Sequence, residues 1–189
     1  MKQLALVAAL AACLTTAAPA WAQKVRLATS MGDIVLQLDA EKAPKTVANF
    51  VQYVKAGHYN GTVFHRVMDG FMIQGGGMTA DMQEKPTRAP IALEASNGLS
   101  NLRGSVAMAR TMAANSATAQ FFVNVGDNLR LDAANSPDGN GYAVFGKVID
   151  GMDVVDRIKA VAVGSKAGHQ NVPVQTILIK QATLIGETK

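Results

Sequence analysis

A chain of 189 residues, 49% of them hydrophobic, is long enough for one domain with a substantial core. Its single cysteine excludes an internal disulfide, and a net charge of +4 without a long basic run does not favour nucleic acid as a partner. These totals predict one globular domain whose stability comes from packing.

The N-terminus has the pattern of a secretory signal peptide. Lys2 supplies a positive charge, residues 4–14 are almost wholly apolar, and Ala20-Trp21-Ala22 forms an A-x-A cleavage site. The apolar run is shorter than the ~18 to 20 residues that span a bilayer. We therefore predict a signal peptide over residues 1–22, export of the protein, and a mature domain over residues 23–189 that is not held at a membrane.

Lipid attachment is the alternative for this segment. Leu10-Ala11-Ala12-Cys13 also resembles a lipoprotein acylation box, which would anchor the protein at Cys13. That cysteine lies early and a good cleavage site follows it, so we prefer the cleaved signal. The mature chain would then contain no cysteine, and its 17 Lys and Arg against 14 Asp and Glu would leave a net charge of +3.

The mature chain begins with a predicted β-hairpin and a helix. Residues 24–28 precede a turn at residues 30–33, after which apolar and polar residues alternate as in a half-buried strand. A helix is predicted from Ala43 to Gly57, with Pro44 in its first turn and Gly57 just past its end. Its apolar stripe has helical spacing and comprises Val47, Phe50, Val51 and Val54.

Short apolar or alternating runs dominate the rest of the chain. They predict strands at Thr62–Val67, Phe71–Gln74, Ile91–Glu94, Gly104–Arg110, Gln120–Val125, Ala143–Ile149 and Val174–Leu184. A second helix is predicted over Met152–Val161, and two segments rich in small and polar residues, Gly75–Pro90 and Asn128–Gly141, are predicted as loops. Many short strands with two helices predict a mainly β fold, a closed antiparallel barrel capped by two α-helices.

The stretch from Phe64 to Gly77 contains the clearest functional signal. Side chains two residues apart share a strand face, so Phe64 would lie beside Arg66. Neighbouring strands could then present one shallow site formed by Arg66, Met72, Gln74, Gln120 and Phe122. A guanidinium is costly to bury unless its donors are used, and the pattern alone supports a structural salt bridge and a functional arginine equally.

No carboxylate pair, metal-ligand cluster or activated nucleophile accompanies this arginine in the sequence. The set suits holding an uncharged, partly apolar group without covalent chemistry. Gly75-Gly76-Gly77 lacks the Lys-Ser/Thr pair of a phosphate-binding loop. The three histidines lack metal-ligand spacing and are expected to be ordinary surface or core residues, namely His58, His65 and His169.

The motifs resemble those of the cyclophilins, the cyclosporin-binding family of peptidyl-prolyl cis/trans isomerases. The resemblance is carried by Phe64-His65-Arg66-Val67, Gly70-Phe71-Met72, Gln74-Gly75-Gly76, Gly104–Ala109, Gln120–Val123 and Val144–Val148, in that order. It implies an eight-stranded cyclophilin-like barrel, a monomer without cofactor, and rotation of X-Pro bonds in unfolded or folding polypeptides. The signal peptide and Tyr142-Ala143-Val144-Phe145 resemble the periplasmic bacterial branch, which implies that the substrates are exported proteins.

The resemblance also implies a role for each matching residue. Arg66 matches the catalytic arginine, Gln74 and Gln120 match residues that orient it and the peptide, and Ala109 matches a backbone contact to the residue before proline. The walls of the proline pocket are matched by Phe71, Met72, Phe122 and Leu131.

Three positions depart from common members of the family. Arg110 stands in place of the usual Asn at the rim. Tyr142 stands where many eukaryotic members have His, and Arg130 where many of them carry the Trp that contacts cyclosporin. We therefore expect weak cyclosporin binding. The main alternative function is a chaperone or binding module that uses the same pocket, with isomerisation secondary.

Overall fold

Eight antiparallel strands close into a barrel in a computed structural model that describes residues 23–186. The predicted signal peptide, including Cys13, lies outside the described residues. The barrel strands are β1 (Lys24–Thr29), β2 (Gly32–Leu38), β3 (Thr62–Met68), β4 (Met72–Thr79), β5 (Ser105–Met108), β6 (Phe121–Asn124), β7 (Val144–Asp150) and β10 (Leu178–Ile185). They follow one another around the barrel as β1-β10-β3-β4-β6-β5-β7-β2.

Two helices and a separate hairpin complete the fold. The helices are α1 (Pro44–Lys55) and α2 (Met152–Lys159), a short 3₁₀ turn spans Leu129–Leu131, and β8 (Val163–Lys166) pairs only with β9 (His169–Pro173). The prediction of a closed eight-stranded antiparallel barrel with two helices is confirmed. Both helices begin and end within two residues of the predicted bounds. Within residues 23–186, no helix is long and apolar enough to cross a membrane.

An aromatic cluster fixes α1 to the barrel core. The Phe50 ring lies 5.0 Å from Tyr59, 5.4 Å from Phe121 and 5.0 Å from Phe145, measured between ring centroids. All four side chains are fully buried. Offset and edge-to-face contacts at these distances stabilise beyond the area that they bury, so α1 is held at a fixed place on the core.

The structure differs from the predicted elements in three places. Residues 91–94 form no strand, and only Ile91 makes a bridge, to Ala117. The hairpin of β8 and β9 was not predicted, because its residues are mostly exposed and lack an alternating apolar pattern. Strand β4 continues to Thr79 through three glycines that were predicted as a loop, since tight packing overrides the loop preference of glycine there.

The prediction that Phe64 and Arg66 share a strand face is wrong. Phe64 pairs with Gly75 and Arg66 pairs with Gln74, so β3 has one more residue than β4 between these pairs. A bulge of this kind reverses the facing of the side chains that follow it. Phe64 therefore lies in the barrel core, 6.2 Å from the Phe121 ring, while Arg66 lies outside the barrel.

Glu94, at the end of residues 91–94, contacts the start of α1 instead of pairing in a strand. Its carboxylate accepts hydrogen bonds from the backbone N–H groups of Lys45 and Thr46, at 3.1 and 2.8 Å, and from the Thr46 hydroxyl at 2.7 Å. The N-cap residue of α1 is Ala43, which has no side-chain cap of its own. Glu94, from a distant part of the chain, thus accepts the hydrogen bonds of backbone N–H groups in the first turn of α1 that have no partner within the helix.

We predict that Glu94→Ala lowers the free energy of unfolding by about 1 to 2 kcal/mol, because the first turn of α1 loses its acceptor and its favourable charge. Chemical denaturation at neutral pH would measure the loss. Glu84→Ala, which removes an exposed carboxylate elsewhere, is the matched control. Equal stability of the two variants would contradict the capping role.

Candidate active site

A row of residues crosses the outer face of the barrel from β3 to β7. Strand pairing aligns Arg66 with Gln74, Gln74 with Phe122, Phe122 with Ala107, and Ala107 with Val144. Their side chains lie on the face opposite the barrel core, where Met72, Ala107, Phe122 and Val144 form a second apolar cluster. The charged end of the row at β3 therefore adjoins an apolar surface.

The outer face contains a pocket of about 170 Å³. Nine of the ten residues predicted for the site line it, and they are Arg66, Phe71, Met72, Gln74, Ala109, Arg110, Phe122, Leu131 and Tyr142. The tenth, Gln120, lies directly behind Gln74 and lines the adjoining groove. The structure thus brings the predicted residues together, whereas the role of each one stays a prediction.

Arg66 is oriented by a chain of two glutamines. Its Nη1 donates to Gln74 Oε1 at 3.4 Å, and Gln74 Nε2 donates to Gln120 Oε1 at 2.8 Å. Among the described residues no carboxylate pairs with Arg66, so the salt bridge left open by the sequence is absent from this part of the chain. Most of its donors remain available on the pocket side.

Gly77 makes room for the last member of this chain. A Cβ at Gly77 would overlap the Gln120 side chain, so a larger residue there would displace Gln120. The Gln120 carbonyl also accepts the Ala109 N–H at 3.0 Å. Sequence reasoning considered the three glycines only as a loop and missed this packing role.

Two arginines contact the Phe71 wall of the pocket. The Cζ atom of Arg66 lies 6.0 Å from the Phe71 ring centroid, and that of Arg130 lies 4.7 Å from it. A guanidinium over an aromatic face is held by the negative quadrupole of the ring. Arg130 itself is exposed at the rim of the pocket.

Arg110 is used internally rather than presented at the rim. Its side chain is only 2% exposed, forms a 2.5 Å ion pair with Asp138, and donates to the Gly141 carbonyl at 2.7 Å. Its Cζ lies 4.6 Å from the Tyr142 ring centroid. Hydrogen bonds from Ser136 and from Arg110 hold the pKa of Asp138 well below its usual range. Arg110 therefore braces the Tyr142 side of the pocket.

A buried network of amides supports the pocket from behind. Asn128 Nδ2 donates to the Phe71 carbonyl at 2.8 Å and to Asn124 Oδ1 at 2.7 Å, and Asn124 donates to Ser105 at 2.8 Å. Asn101 joins the network and binds Asp132. Sequence reasoning missed these residues, because a single asparagine in a Gly- and Asn-rich segment looks like an ordinary turn residue.

His65, the residue of the bulge, is buried beside the groove that adjoins the pocket. In the described part of the chain its Nδ1 has no hydrogen-bond partner. Burial, together with the charges of His169 and Arg66, lowers the pKa of His65 to about 4. Residues 23–186 contain no cluster of three or more His, Cys, Asp or Glu side chains able to hold a metal ion.

Known proteins match both the sequence and the fold. A family model described as cyclophilin type peptidyl-prolyl cis-trans isomerase/CLD matches residues 24–184. Peptidyl-prolyl cis-trans isomerase cyp18 of Streptomyces antibioticus is 59% identical over 163 residues, which cover 86% of this chain and 98% of the relative. Peptidyl-prolyl cis-trans isomerase B of Escherichia coli strain K12 is 54% identical over 157 residues, which cover 82% and 96%.

Solved structures agree with the architecture. The crystal structure of a Cryptosporidium parvum cyclophilin type peptidyl-prolyl cis-trans isomerase has a TM-score of 0.71 at 26% sequence identity, covering 89% of this chain and all of the other. Fold, pocket and matches define one class of protein. The chain belongs to the cyclophilin-type peptidyl-prolyl cis-trans isomerase family, as its motifs predicted.

The lowered pKa of His65 predicts a pH-dependent stability. Between about pH 6.5 and 4 the unfolded chain binds a proton at this histidine and the folded chain does not, so stability falls as the pH falls. The loss from His65 is on the order of 3 kcal/mol. Denaturation at several pH values would measure it, and His65→Gln should reduce the slope, leaving the contribution of His58, whose pKa burial also lowers. An unchanged slope would contradict the assignment.

Proposed function

We propose that this protein accelerates cis–trans rotation about X-Pro bonds without covalent chemistry. Arg66 stabilises the twisted amide, and the proline ring occupies the apolar pocket. The observation that carries the proposal is the position of Arg66, whose guanidinium lines a pocket walled by Phe71, Met72, Phe122 and Leu131. A cation beside an apolar pocket suits a substrate that is uncharged in its ground state.

Catalysis of X-Pro bond rotation requires stabilisation of the rotated amide. The barrier to rotation is about 18 to 20 kcal/mol, because rotation breaks amide resonance, and uncatalysed isomerisation takes tens to hundreds of seconds. A ~10⁶-fold acceleration requires about 8 kcal/mol. In the rotated state the proline nitrogen regains a lone pair, which accepts a hydrogen bond that the planar amide cannot accept. A donor aimed there therefore acts on the transition state selectively.

Arg66 can supply part of this stabilisation. A preorganised donor is worth roughly 3 to 4 kcal/mol, which is about half of the requirement. Gln74 and Gln120 fix the guanidinium without neutralising it. The remainder comes from positioning and from the apolar walls, because water favours the more dipolar planar amide.

The peptide runs across the pocket with its N-terminal part at Ala109. The Ala109 N–H is already bonded to the Gln120 carbonyl, so the Ala109 carbonyl is the group that we assign to the residue before proline. Phe71 and Leu131 enclose the ring, and Tyr142 closes the side opposite Arg66. Proline-containing unfolded or folding polypeptides are the substrates.

Arg66→Ala should reduce kcat/KM for a proline tetrapeptide at least ~100-fold while the protein still folds, because a transition-state donor is lost. Arg26→Ala, which removes an exposed arginine paired with Asp33 on the other side of the barrel, is the matched control. A loss below threefold in Arg66→Ala would remove Arg66 from the mechanism.

A second assay, run beside the isomerase assay, distinguishes an isomerase from a chaperone. Protection of an unfolded, proline-free protein from aggregation measures chaperone activity alone. Full protection by a wild-type protein that lacks isomerase activity would favour the chaperone, whereas isomerase activity that depends on Arg66 favours the enzyme.

We further propose that the protein acts on exported polypeptides in the periplasm as a monomer, after cleavage of residues 1–22. The support for export is the n-region, apolar run and A-x-A site in the sequence, whereas the monomer is what the family resemblance implies. The mature protein, isolated from the periplasmic fraction, should begin at Gln23. A lipid-modified N-terminus at Cys13, or retention of residues 1–22, would contradict this proposal.

Weak cyclosporin binding is also proposed. Its basis is the charged Arg130 at the place where many eukaryotic members of the family carry a Trp.

A further inference from the structure

We propose that Arg130 gives the enzyme a preference for substrates with an acidic residue one or two positions after the proline. This inference rests on the proposed function and adds a substrate class to it. Its basis is an exposed arginine that the fold holds against the pocket wall and that pairs with no carboxylate within residues 23–186.

The short 3₁₀ turn positions Arg130 beside the pocket. Within this turn Leu131 lines the pocket, whereas Arg130 points to the rim and lies 4.7 Å from the Phe71 ring centroid. Asn128, the residue before the turn, donates to the Phe71 carbonyl, and the Leu131 N–H donates to the Asn128 carbonyl at 2.8 Å. The turn and the Phe71 wall are therefore joined, and the location of the charge is fixed by the fold.

The charge at this wall is not neutralised. In residues 23–186 neither Arg66 nor Arg130 forms an ion pair, although both lie against the same ring. Arg110, the third arginine of the site, is paired with Asp138 and almost fully buried. The Phe71 side of the pocket thus carries the positive charges of Arg66 and Arg130, whereas the charge of Arg110 on the Tyr142 side is paired with Asp138.

Strand β6 indicates which part of the peptide meets this charge. The Ala109 N–H bonds to the Gln120 carbonyl at one end of β6, and the Val125 N–H bonds to the Phe71 carbonyl at the other end. These ends are about 16 Å apart at the rise of an extended strand. When the residue before proline contacts Ala109, the proline ring lies between Ala109 and Phe71. The residues after proline then reach Phe71 and Arg130.

The expected preference is modest and salt-sensitive. An exposed ion pair contributes little in water, so a carboxylate at this place should improve kcat/KM about two- to fivefold over a neutral isostere. Charges at the surface are screened within about 8 Å at physiological ionic strength. The preference should therefore shrink when salt is added.

The test compares three peptides that differ only after the proline, where they carry Glu, Gln or Lys. For the wild-type protein in low salt, we expect kcat/KM to fall in that order. The Glu-to-Lys ratio should approach one in 0.5 M salt, where the Debye length is about 4 Å. Arg130→Gln should reduce the ratio at least twofold, and Arg130→Glu should bring it to one or below. Lys24→Gln, which removes an exposed charge on β1, should keep the wild-type ratio.

Three outcomes would overturn the inference. They are a wild-type ratio near one, a ratio that Arg130→Glu leaves unchanged, and an equal fall of the ratio in Lys24→Gln, which would assign it to net charge. Activity on all three peptides without discrimination refutes only the role of Arg130. Absence of activity on every peptide refutes the proposed function as well, so the two failures are distinguishable.

Discussion

The bulge at His65 determines that Arg66 faces the site while Phe64 faces the core. One extra residue in β3 lets Phe64 enter the barrel core and turns Arg66 outward, although the two are only two positions apart. Without it, a regular strand would place both on the same face. A buried arginine without a carboxylate would be costly in the core, and an exposed Phe64 would remove one of the three aromatic rings that pack against Phe121. The bulge thus allows a well-packed core and a charged outer face within one short strand.

Close packing around the glycines extends the same constraint to β4. The missing side chain of Gly76 admits the rings of Tyr59 and Phe121, and that of Gly77 admits Gln120. Because Gln120 holds Gln74, which in turn contacts Arg66, the orientation of the guanidinium depends on the glycine backbone of the neighbouring strand β4. A segment that reads as a flexible loop in the sequence is therefore part of the rigid support of the site.

Sequence patterns predicted what depends on local periodicity or on matching motifs. The apolar stripe of α1, its Pro44 start and its Gly57 end, and the alternation in the first hairpin are local properties, and the structure agrees with them. Strand alternation grouped five residues of the site, and family motifs added the others; the five are Arg66, Met72, Gln74, Gln120 and Phe122. The bulge, the capping of α1 by Glu94 and the amide network around Asn124 depend on long-range pairing, so no local pattern reports them. The exposed β8–β9 hairpin lacks the apolar alternation that marks a strand.

The three arginines of the site show why residue type alone does not define a role. Arg110 pairs with Asp138 and donates to backbone carbonyls. Its guanidinium therefore supports the pocket wall, and little of its charge acts on a substrate. Arg66 is fixed by neutral glutamines, which leave its charge intact in a partly buried place where electrostatic effects exceed those in water. Arg130 keeps its charge too, but in solvent, where screening limits it to a small and tunable effect. The partners and the burial of each arginine thus distinguish their roles. Arg110 supports the structure, Arg66 is suited to stabilising the transition state, and Arg130 is suited to selecting substrates.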